Sequence, residues 1–210
     1  KHLRGMDEVE FYLRYARAIN EQFPGRWISK LVIQAHPKEA LTLFREAGVQ
    51  IYHPNYEIWD PRLFRIICPG KERYVGREEW IRRIVDAADV FGPARVIPNF
   101  VAGIEMAEPH GYTEVADALA STSEGLDFFM SRSITPRFTT WCPEPLSVLG
   151  RTQGPAPLEY HVGLLRLWRD TLLKYDLHAP PGYGDPGAGN AVFSVSAFMD
   201  AIPASPPVAP

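Results

Sequence analysis

Two hydrogen-bonding side chains lie two residues apart at the end of a predicted strand, in the stretch IYHPNYEIWD at residues 51–60. Asn55 and Glu57 point the same way if the backbone is extended, because alternate side chains of a strand share a face. A carboxylate accepts hydrogen bonds from two vicinal hydroxyl groups, and an amide both donates and accepts. The pair therefore suits a ribose. The alternative is structural: a strand-end cap, or a Glu57 carboxylate paired with Arg62 or Arg65.

A second candidate binding segment is VIPNFVAGIE, residues 96–105. Gly103 follows an apolar strand and would permit the close backbone approach of a flat ligand. Phe100 or Val101 is then placed to pack against an adenine ring, and Glu105 adds a carboxylate. The alternative is a barrel strand that ends in a turn glycine.

The third candidate segment is WCPEP, residues 141–145, where a predicted strand ends in a thiol and a carboxylate. Trp141, Cys142 and Glu144 are therefore candidates for the substrate side of a site, together with His53 at the exit of an earlier strand. For Cys142 the alternative is a buried structural thiol, because the sequence shows no partner that would activate it.

The spacing of histidines and cysteines predicts no metal site within the chain. The histidines show neither H-x-H nor H-E-x-x-H spacing, and Cys68 and Cys142 cannot by themselves form a zinc site or a disulfide framework. We interpret them as reduced thiols.

GYGDPG at 182–187 has the spacing of a dinucleotide-binding glycine motif. It does not link a strand to a helix and it contains Pro186, so we interpret it as an irregular loop.

Composition narrows the classes of partner. Of the 210 residues, 46% are apolar and 22% are charged, which is the balance of a soluble globular protein. A net charge of −3 does not favour a nucleic acid partner. No run of about 18 apolar residues could span a membrane, and no signal-peptide pattern is present. We therefore expect a cytoplasmic protein without a membrane partner.

Apolar periodicity predicts one helix followed by repeated β-α units. The predicted helices are 7–22, 37–47, 77–91, 113–130 and 157–175, and the predicted strands are 28–35, 49–57, 95–105 and 136–141. A further strand or short helix is predicted at 191–202, and a disordered tail at 204–210. This alternation is typical of an α/β fold with a parallel sheet and outer helices, either a barrel sector or an open doubly wound sheet. In both, ligands bind at the carboxyl ends of the strands.

With these segments in order, the chain resembles the radical S-adenosylmethionine (SAM) enzymes, closest in pattern to biotin synthase, over roughly residues 28–150. In that family a helix ending in EAG leads to a strand whose exit carries Asn-x-Asp or Asn-x-Glu, here Asn55-Tyr56-Glu57. A later strand carries a G-x-I-x-G-x-x-E-like pattern, here residues 99–105, with Asn99 replacing the first glycine and the glutamate one residue early. The resemblance implies that Asn55 holds the methionine or ribose portion of SAM and that Glu57 binds the ribose hydroxyls. It also implies that the adenine lies against the later strand, with these candidate contacts: Phe100, Val101, Gly103 and Glu105.

The C-x-x-x-C-x-x-C loop that ligates the 4Fe–4S cluster of this family is absent from the chain. So is the family's glycine-rich strand end, and both belong before the third barrel strand. Because the chain starts with Lys1 on the helix before that strand, we expect an N-terminally truncated enzyme. Residues 1–178 would be the C-terminal part of a (β/α) TIM-type barrel, and residues 179–210 an extension.

The resemblance also implies an activity for the intact enzyme. It would cleave SAM reductively, with electrons from a donor such as flavodoxin or ferredoxin. The resulting 5′-deoxyadenosyl radical would abstract hydrogen from a small-molecule substrate, which the sequence does not identify. The protein would position cofactor and substrate and exclude water.

Two other functions remain open. One is a TIM-barrel lyase or aldolase that uses Glu57, Glu105 and His53 as acid and base. It would need a metal or a Schiff-base lysine at a strand end, and the sequence places Lys30 and Lys71 poorly for that role. The other is a half-barrel module that binds ligands or partners without catalysis.

Overall fold

The computed structural model describes residues 2–3, 6–26, 28–151 and 153–178. The helices are α1 (Glu8–Gln22), α2 (Lys38–Glu46), α3 (Pro61–Ile67), α4 (Pro69–Tyr74), α5 (Arg77–Phe91), α6 (Val115–Met130) and α7 (Leu158–Lys174). The strands are β1 (His2–Leu3), β2 (Met6–Asp7), β3 (Lys30–Ile33), β4 (Ile51–Glu57), β5 (Asn99–Ala102) and β6 (Arg137–Thr140). None of these described helices is long and apolar enough to cross a membrane. The glycine motif at 182–187, the element predicted at 191–202 and the tail at 204–210 lie outside the described residues.

Four strands form one sheet in the order β3-β4-β5-β6, and all three pairings are parallel. This confirms the predicted α/β class and the predicted parallel sheet. β1 and β2 form a separate antiparallel pair that the sequence did not predict. Among the described residues the sheet keeps two edges, β3 and β6, so it is a sector of a (β/α) sheet that is not closed into a barrel.

Aromatic side chains fill the layer between the sheet and its helices. Tyr56 of β4 contacts Phe64 of α3, with ring centroids 5.8 Å apart. Phe100 of β5 lies 6.2 Å from Phe129 of α6 and 5.9 Å from Phe138 of β6. All five side chains are buried. Burial of each such ring contributes about 1.5–3 kcal/mol, so this face of the sheet is a core and not a binding surface.

The opposite face of the sheet is more polar. Since successive strand residues point to opposite sides, this face carries the residues that alternate with the aromatic ones. They are His53, Asn55, Asn99, Val101, Arg137 and Thr139. Asn99 is the register partner of Asn55 on one side and of Arg137 on the other. The strand direction thus places a row of hydrogen-bonding groups across three neighbouring strands.

Two short helices that periodicity did not predict follow β4. Each has a proline at its start, Pro61 in α3 and Pro69 in α4, where the missing N–H leaves no bond unmade. Asp60 caps α3, because its Oδ1 accepts a hydrogen bond of 2.6 Å from the backbone N–H of Leu63. With seven and six residues, the helices are too short for apolar periodicity to reveal them. They matter for the site because α4 carries Lys71.

Candidate functional site

The carboxyl ends of three neighbouring strands bring the candidate residues to one edge of the sheet. β4 ends at Glu57, β5 ends at Ala102 just before Gly103, and β6 ends at Thr140 just before Trp141. This is the edge at which ligands bind in parallel α/β sheets. The parallel strand order therefore assembles the rim that the sequence predicts.

Glu57 leaves the extended backbone at the end of β4. Its φ is 84°, in the left-handed region that residues other than glycine rarely adopt. The pairing with β5 shifts register between Asn55 and Glu57, so that Glu57 lies beside Phe100. The regular alternation of side chains along β4, which would point Asn55 and Glu57 in the same direction, is therefore interrupted after Asn55. A left-handed residue at a strand end is a conformation that clusters at ligand-binding positions.

The Glu57 carboxylate is paired with Lys71 of α4. Lys71 Nζ lies 2.5 Å from Glu57 Oε1 and donates a second bond, 2.8 Å long, to the backbone oxygen of Asn55. The same ammonium lies 4.5 Å from the centre of the Trp80 ring. The Glu57 side chain is 22% exposed, so its carboxylate is both charge-compensated and accessible. The ion pair considered as the structural alternative is therefore formed, with a lysine in place of the arginines suggested by the sequence.

Sequence reasoning missed Lys71 as part of this site and judged it poorly placed for one. The residue follows Glu57 by 14 positions, in a segment for which the sequence predicts neither a helix nor a strand. Pro69 was the available signal, since proline favours the first turn of a helix. The direction in which α3 and α4 fold back beside β4 is a tertiary feature, and no local pattern specifies it.

The predicted adenine contacts separate onto two faces of β5. Phe100 is 1% exposed and its ring centroid lies 5.1 Å from that of Tyr56, so it belongs to the core beneath the helices. Val101 is half-buried on the opposite face, where Thr139 of β6 is its register partner. Of these two residues, Val101 is therefore the one placed to contact a ligand on the polar face.

The space over Gly103 is filled by the protein itself. The residue has φ 97°, and a Cβ built there would lie 2.9 Å from the Cβ of Ala156 and 3.6 Å from Cε1 of His161. Gly103 thus allows the segment that enters α7 to pack on the end of β5. The close approach predicted for a flat ligand is made by these residues instead.

Glu105 is a buried junction between β5, α6 and α7. It is 1% exposed, and its Oε1 accepts hydrogen bonds from Thr122 at 2.5 Å and from the Tyr160 hydroxyl at 2.8 Å. Its Oε2 accepts the backbone N–H of Gly103 at 3.1 Å. Burial raises the pKa of Glu105, and these bonds oppose the rise. The carboxylate is engaged on both oxygens, so we leave it out of the ligand-binding set.

His53 belongs to a buried polar network on the sheet. Burial, followed by the positive charges of Lys30 and Arg137, lowers the pKa of His53 to about 3, whereas a hydrogen bond with Asn99 opposes the shift. The hydroxyl of Thr139 donates to Asn99 Oδ1 at 3.0 Å. A buried neutral imidazole of this kind orders the network, and its pKa is far from the range that suits a general base near pH 7.

The residues after β6 divide between a cavity and the surface. Trp141 lines a cavity of about 410 Å³ at the carboxyl edge of the sheet. Cys142 is exposed, with its Sγ 3.8 Å from the backbone oxygen of Thr140, and Glu144 is also exposed. Cys142 is therefore not the buried thiol considered as one alternative, and of these three residues only Trp141 lines the cavity.

The two cysteine thiols do not form a site for an iron–sulfur cluster. Cys68 is buried at the junction of α3 and α4, where burial raises its pKa to about 12, while Cys142 is exposed. Within the described ranges, no group of three or more His, Cys, Asp or Glu side chains could hold a metal ion. These residues therefore do not fit a 4Fe–4S cluster, which needs four ligands.

Comparison of the chain with protein-family models and with curated proteins finds no match to either.

Proposed function

We propose that the chain is the C-terminal part of a radical SAM enzyme and binds SAM at the carboxyl end of β4. One observation carries the proposal: Glu57 presents an accessible carboxylate from a left-handed backbone position at that strand end. The parallel order of β4 and β5, which bear the two segments resembling this family, supports it.

Each residue of the binding set has a defined task in this proposal. Glu57 accepts hydrogen bonds from the ribose hydroxyls, and Lys71 holds the carboxylate in place through its bond to Oε1. Asn55 offers its side-chain amide on the polar face of the sheet. Val101 supplies an apolar contact on that face for the adenine. When bound, SAM supplies a 5′-deoxyadenosyl radical on reductive cleavage, which abstracts hydrogen from a small-molecule substrate.

The cluster chemistry is assigned to a segment that this chain does not contain. Cys68 and Cys142 do not fit a 4Fe–4S cluster, so no step of electron transfer involves the residues described above. Under the proposal, a cluster-bearing segment and an electron donor such as flavodoxin or ferredoxin complete the enzyme. The part described here binds SAM and substrate and excludes water from the reaction.

The product of the complete gene, reconstituted anaerobically with iron and sulfide, tests the proposal. We expect iron in the protein, a cluster absorption band, and 5′-deoxyadenosine when SAM and dithionite are added. Glu57→Ala should weaken SAM binding, measured by calorimetry, by about 1–3 kcal/mol, because it removes charge-assisted hydrogen bonds. Its iron content should match that of the wild type.

Glu46→Ala, which removes an exposed carboxylate at the end of α2, is the matched control and should bind SAM normally. If neither iron nor 5′-deoxyadenosine is found, the radical SAM assignment is wrong. If both are found but Glu57→Ala binds SAM as tightly as the wild type does, the enzyme class stands and the ribose assignment fails.

A second candidate, a Schiff-base lyase or aldolase, is favoured by the position of Lys71. The sequence analysis predicts that this lysine is poorly placed for a Schiff base. In the structure, however, its Nζ lies at the carboxyl end of β4 and its side chain is 21% exposed. The Lys71 amine is already engaged by the Glu57 carboxylate and by the backbone oxygen of Asn55, and a Schiff base needs an amine that is free to attack a carbonyl, so this candidate is the weaker one. Treatment of the chain with glyceraldehyde and borohydride, followed by peptide mass spectrometry, tests it. Selective labelling of Lys71 over Lys38 would support it, and equal labelling would exclude it.

A further inference from the structure

A cavity lies beside the rim, between the loops that follow β5 and β6. The cavity of about 410 Å³ that contains Trp141 is within the range of small-molecule sites. Its lining includes Met106, Glu108 and Tyr112 from the first loop and Trp141, Gln153 and Pro157 from the second. Both loops leave the carboxyl ends of parallel strands, where α/β folds bind their ligands.

The walls of this cavity are fixed by hydrogen bonds within the protein. Gln153 joins the two loops, since its Oε1 accepts the backbone N–H of Glu108 at 2.8 Å and its Nε2 donates to the backbone oxygen of Glu108 at 3.3 Å. In the first loop, the backbone N–H of Tyr112 donates to the backbone oxygen of Glu105 at 2.7 Å. The Tyr112 hydroxyl donates to Asp60 Oδ2 at 2.7 Å. A ligand therefore meets a formed cavity and does not have to order its walls.

The chemistry of the lining selects the charge of the ligand. Trp141 offers an aromatic surface, and Met106 and three prolines extend the apolar wall. Among the described residues that line it, Glu108 is the one with an acidic side chain, and none is a lysine, arginine or histidine. An aromatic ring and a carboxylate attract an ammonium group and repel an anion.

We propose that this cavity binds a small molecule that combines an aromatic or other flat apolar group with an amine. The apolar group packs on Trp141, and the ammonium lies near the Glu108 carboxylate. That the cavity receives the substrate of the enzyme rests on the proposed function. The class of ligand does not, because it follows from the lining alone.

Three ligands that differ only in their polar end test the proposal on the full chain. Phenethylamine carries an ammonium, phenylethanol a hydroxyl and hydrocinnamate a carboxylate on the same ring and linker. The chain contains five tryptophans, so incorporation of fluorotryptophan gives separate fluorine NMR signals, and Trp141→Phe identifies the one from Trp141. Titration then yields the dissociation constant and the location of binding in one measurement.

We expect the Trp141 signal to shift saturably with phenethylamine, more weakly with phenylethanol and least with hydrocinnamate. Glu108→Gln should raise the dissociation constant of phenethylamine about fivefold and leave that of phenylethanol unchanged. Glu46→Gln removes an exposed carboxylate at the end of α2, outside the lining, and is the matched control, which should bind like the wild type.

Equal affinity for the three ligands, an unaffected Glu108→Gln variant, or an unshifted Trp141 signal would each overturn the proposal. Because the titration requires neither SAM nor an iron–sulfur cluster, its failure is distinct from failure of the proposed radical chemistry. Amine binding in a protein that forms no 5′-deoxyadenosine would retain the site and remove only its assignment to that enzyme class.

Discussion

The ammonium of Lys71 lies 2.5 Å from the carboxylate of Glu57, although the two residues belong to different elements, α4 and β4. The same ammonium bonds the backbone oxygen of Asn55, which also accepts the Trp80 indole N–H at 3.0 Å. The end of β4 is thus held from the helix side by two donors. This explains how a glutamate keeps a left-handed backbone conformation at the rim.

Backbone strain at Glu57 can be separated from the loss of its carboxylate. Glu57→Ala and Glu57→Gly both remove the ion pair with Lys71, but only glycine adopts φ 84° without a steric penalty. We expect the glycine variant to be more stable than the alanine variant by about 1 kcal/mol in urea unfolding. Equal stability of the two variants would show that the left-handed conformation at this position carries no strain.

The carboxyl group of Glu105 should make stability depend on pH in the direction opposite to that of an acid whose pKa is lowered in the folded state. Since burial raises its pKa in the folded state, the folded chain retains this proton to higher pH than the unfolded chain. This contribution to stability is full below about pH 4.3, the usual value for glutamate, and decreases as pH rises towards the folded value. Glu105→Gln has no carboxyl group to titrate at this position. As pH rises from acidic to neutral, the free energy of unfolding of the variant should therefore increase relative to that of the wild type.

The hydrogen bond from the Tyr160 hydroxyl to the Glu105 carboxylate can be tested separately. Tyr160→Phe leaves a buried oxygen with one donor fewer and should cost about 1–3 kcal/mol at neutral pH. Tyr175→Phe removes a hydroxyl bond to Asp127 at the surface end of α7 and should cost much less. A difference between wild type and Glu105→Gln that stays constant with pH would mean that Glu105 titrates alike in both states.

His53 should make the protein less stable in acid. Its folded pKa is lowered from 6.5 to about 3, so only the unfolded chain gains this proton between those values. Stability is therefore full above pH 6.5 and is lost as pH falls below it, by up to about 1.4 kcal/mol per pH unit. His53→Gln should reduce this slope in urea titrations from pH 6 to about pH 4. His36, whose pKa is lowered to about 4, should account for much of the slope that remains.

The two thiols should react at very different rates. Cys142 is exposed, whereas Cys68 is buried and its pKa is raised to about 12, so its thiolate is scarce at neutral pH. Ellman's reagent should modify one thiol per native chain rapidly and both thiols in denaturant. Cys142→Ser should abolish the fast reaction. Two fast thiols in the native wild type would show that the junction of α3 and α4 opens readily.

The sequence predicts the sheet well because each strand and long helix has a local signature. Apolar runs marked the four parallel strands, and helical periodicity marked α5 within its observed bounds, Arg77–Phe91. The site was predicted less fully. The left-handed turn at Glu57 depends on donors from α4 and α5, and the burial of Glu105 depends on Tyr160, 55 residues further along the chain. Such contacts are set by how helices pack and leave no trace in residue spacing.

The junction at Glu105 also determines how the neighbouring cavity can change shape. One carboxylate joins Gly103 at the end of β5 to Thr122 of α6 and Tyr160 of α7, and both cavity-lining loops adjoin these elements. A hinge movement of α7 alone would break buried hydrogen bonds, so the two helices and their loops behave as one cooperative unit in local opening. We therefore expect the cavity to keep its shape when a ligand binds, and the amide hydrogens of α6 and α7 to exchange together.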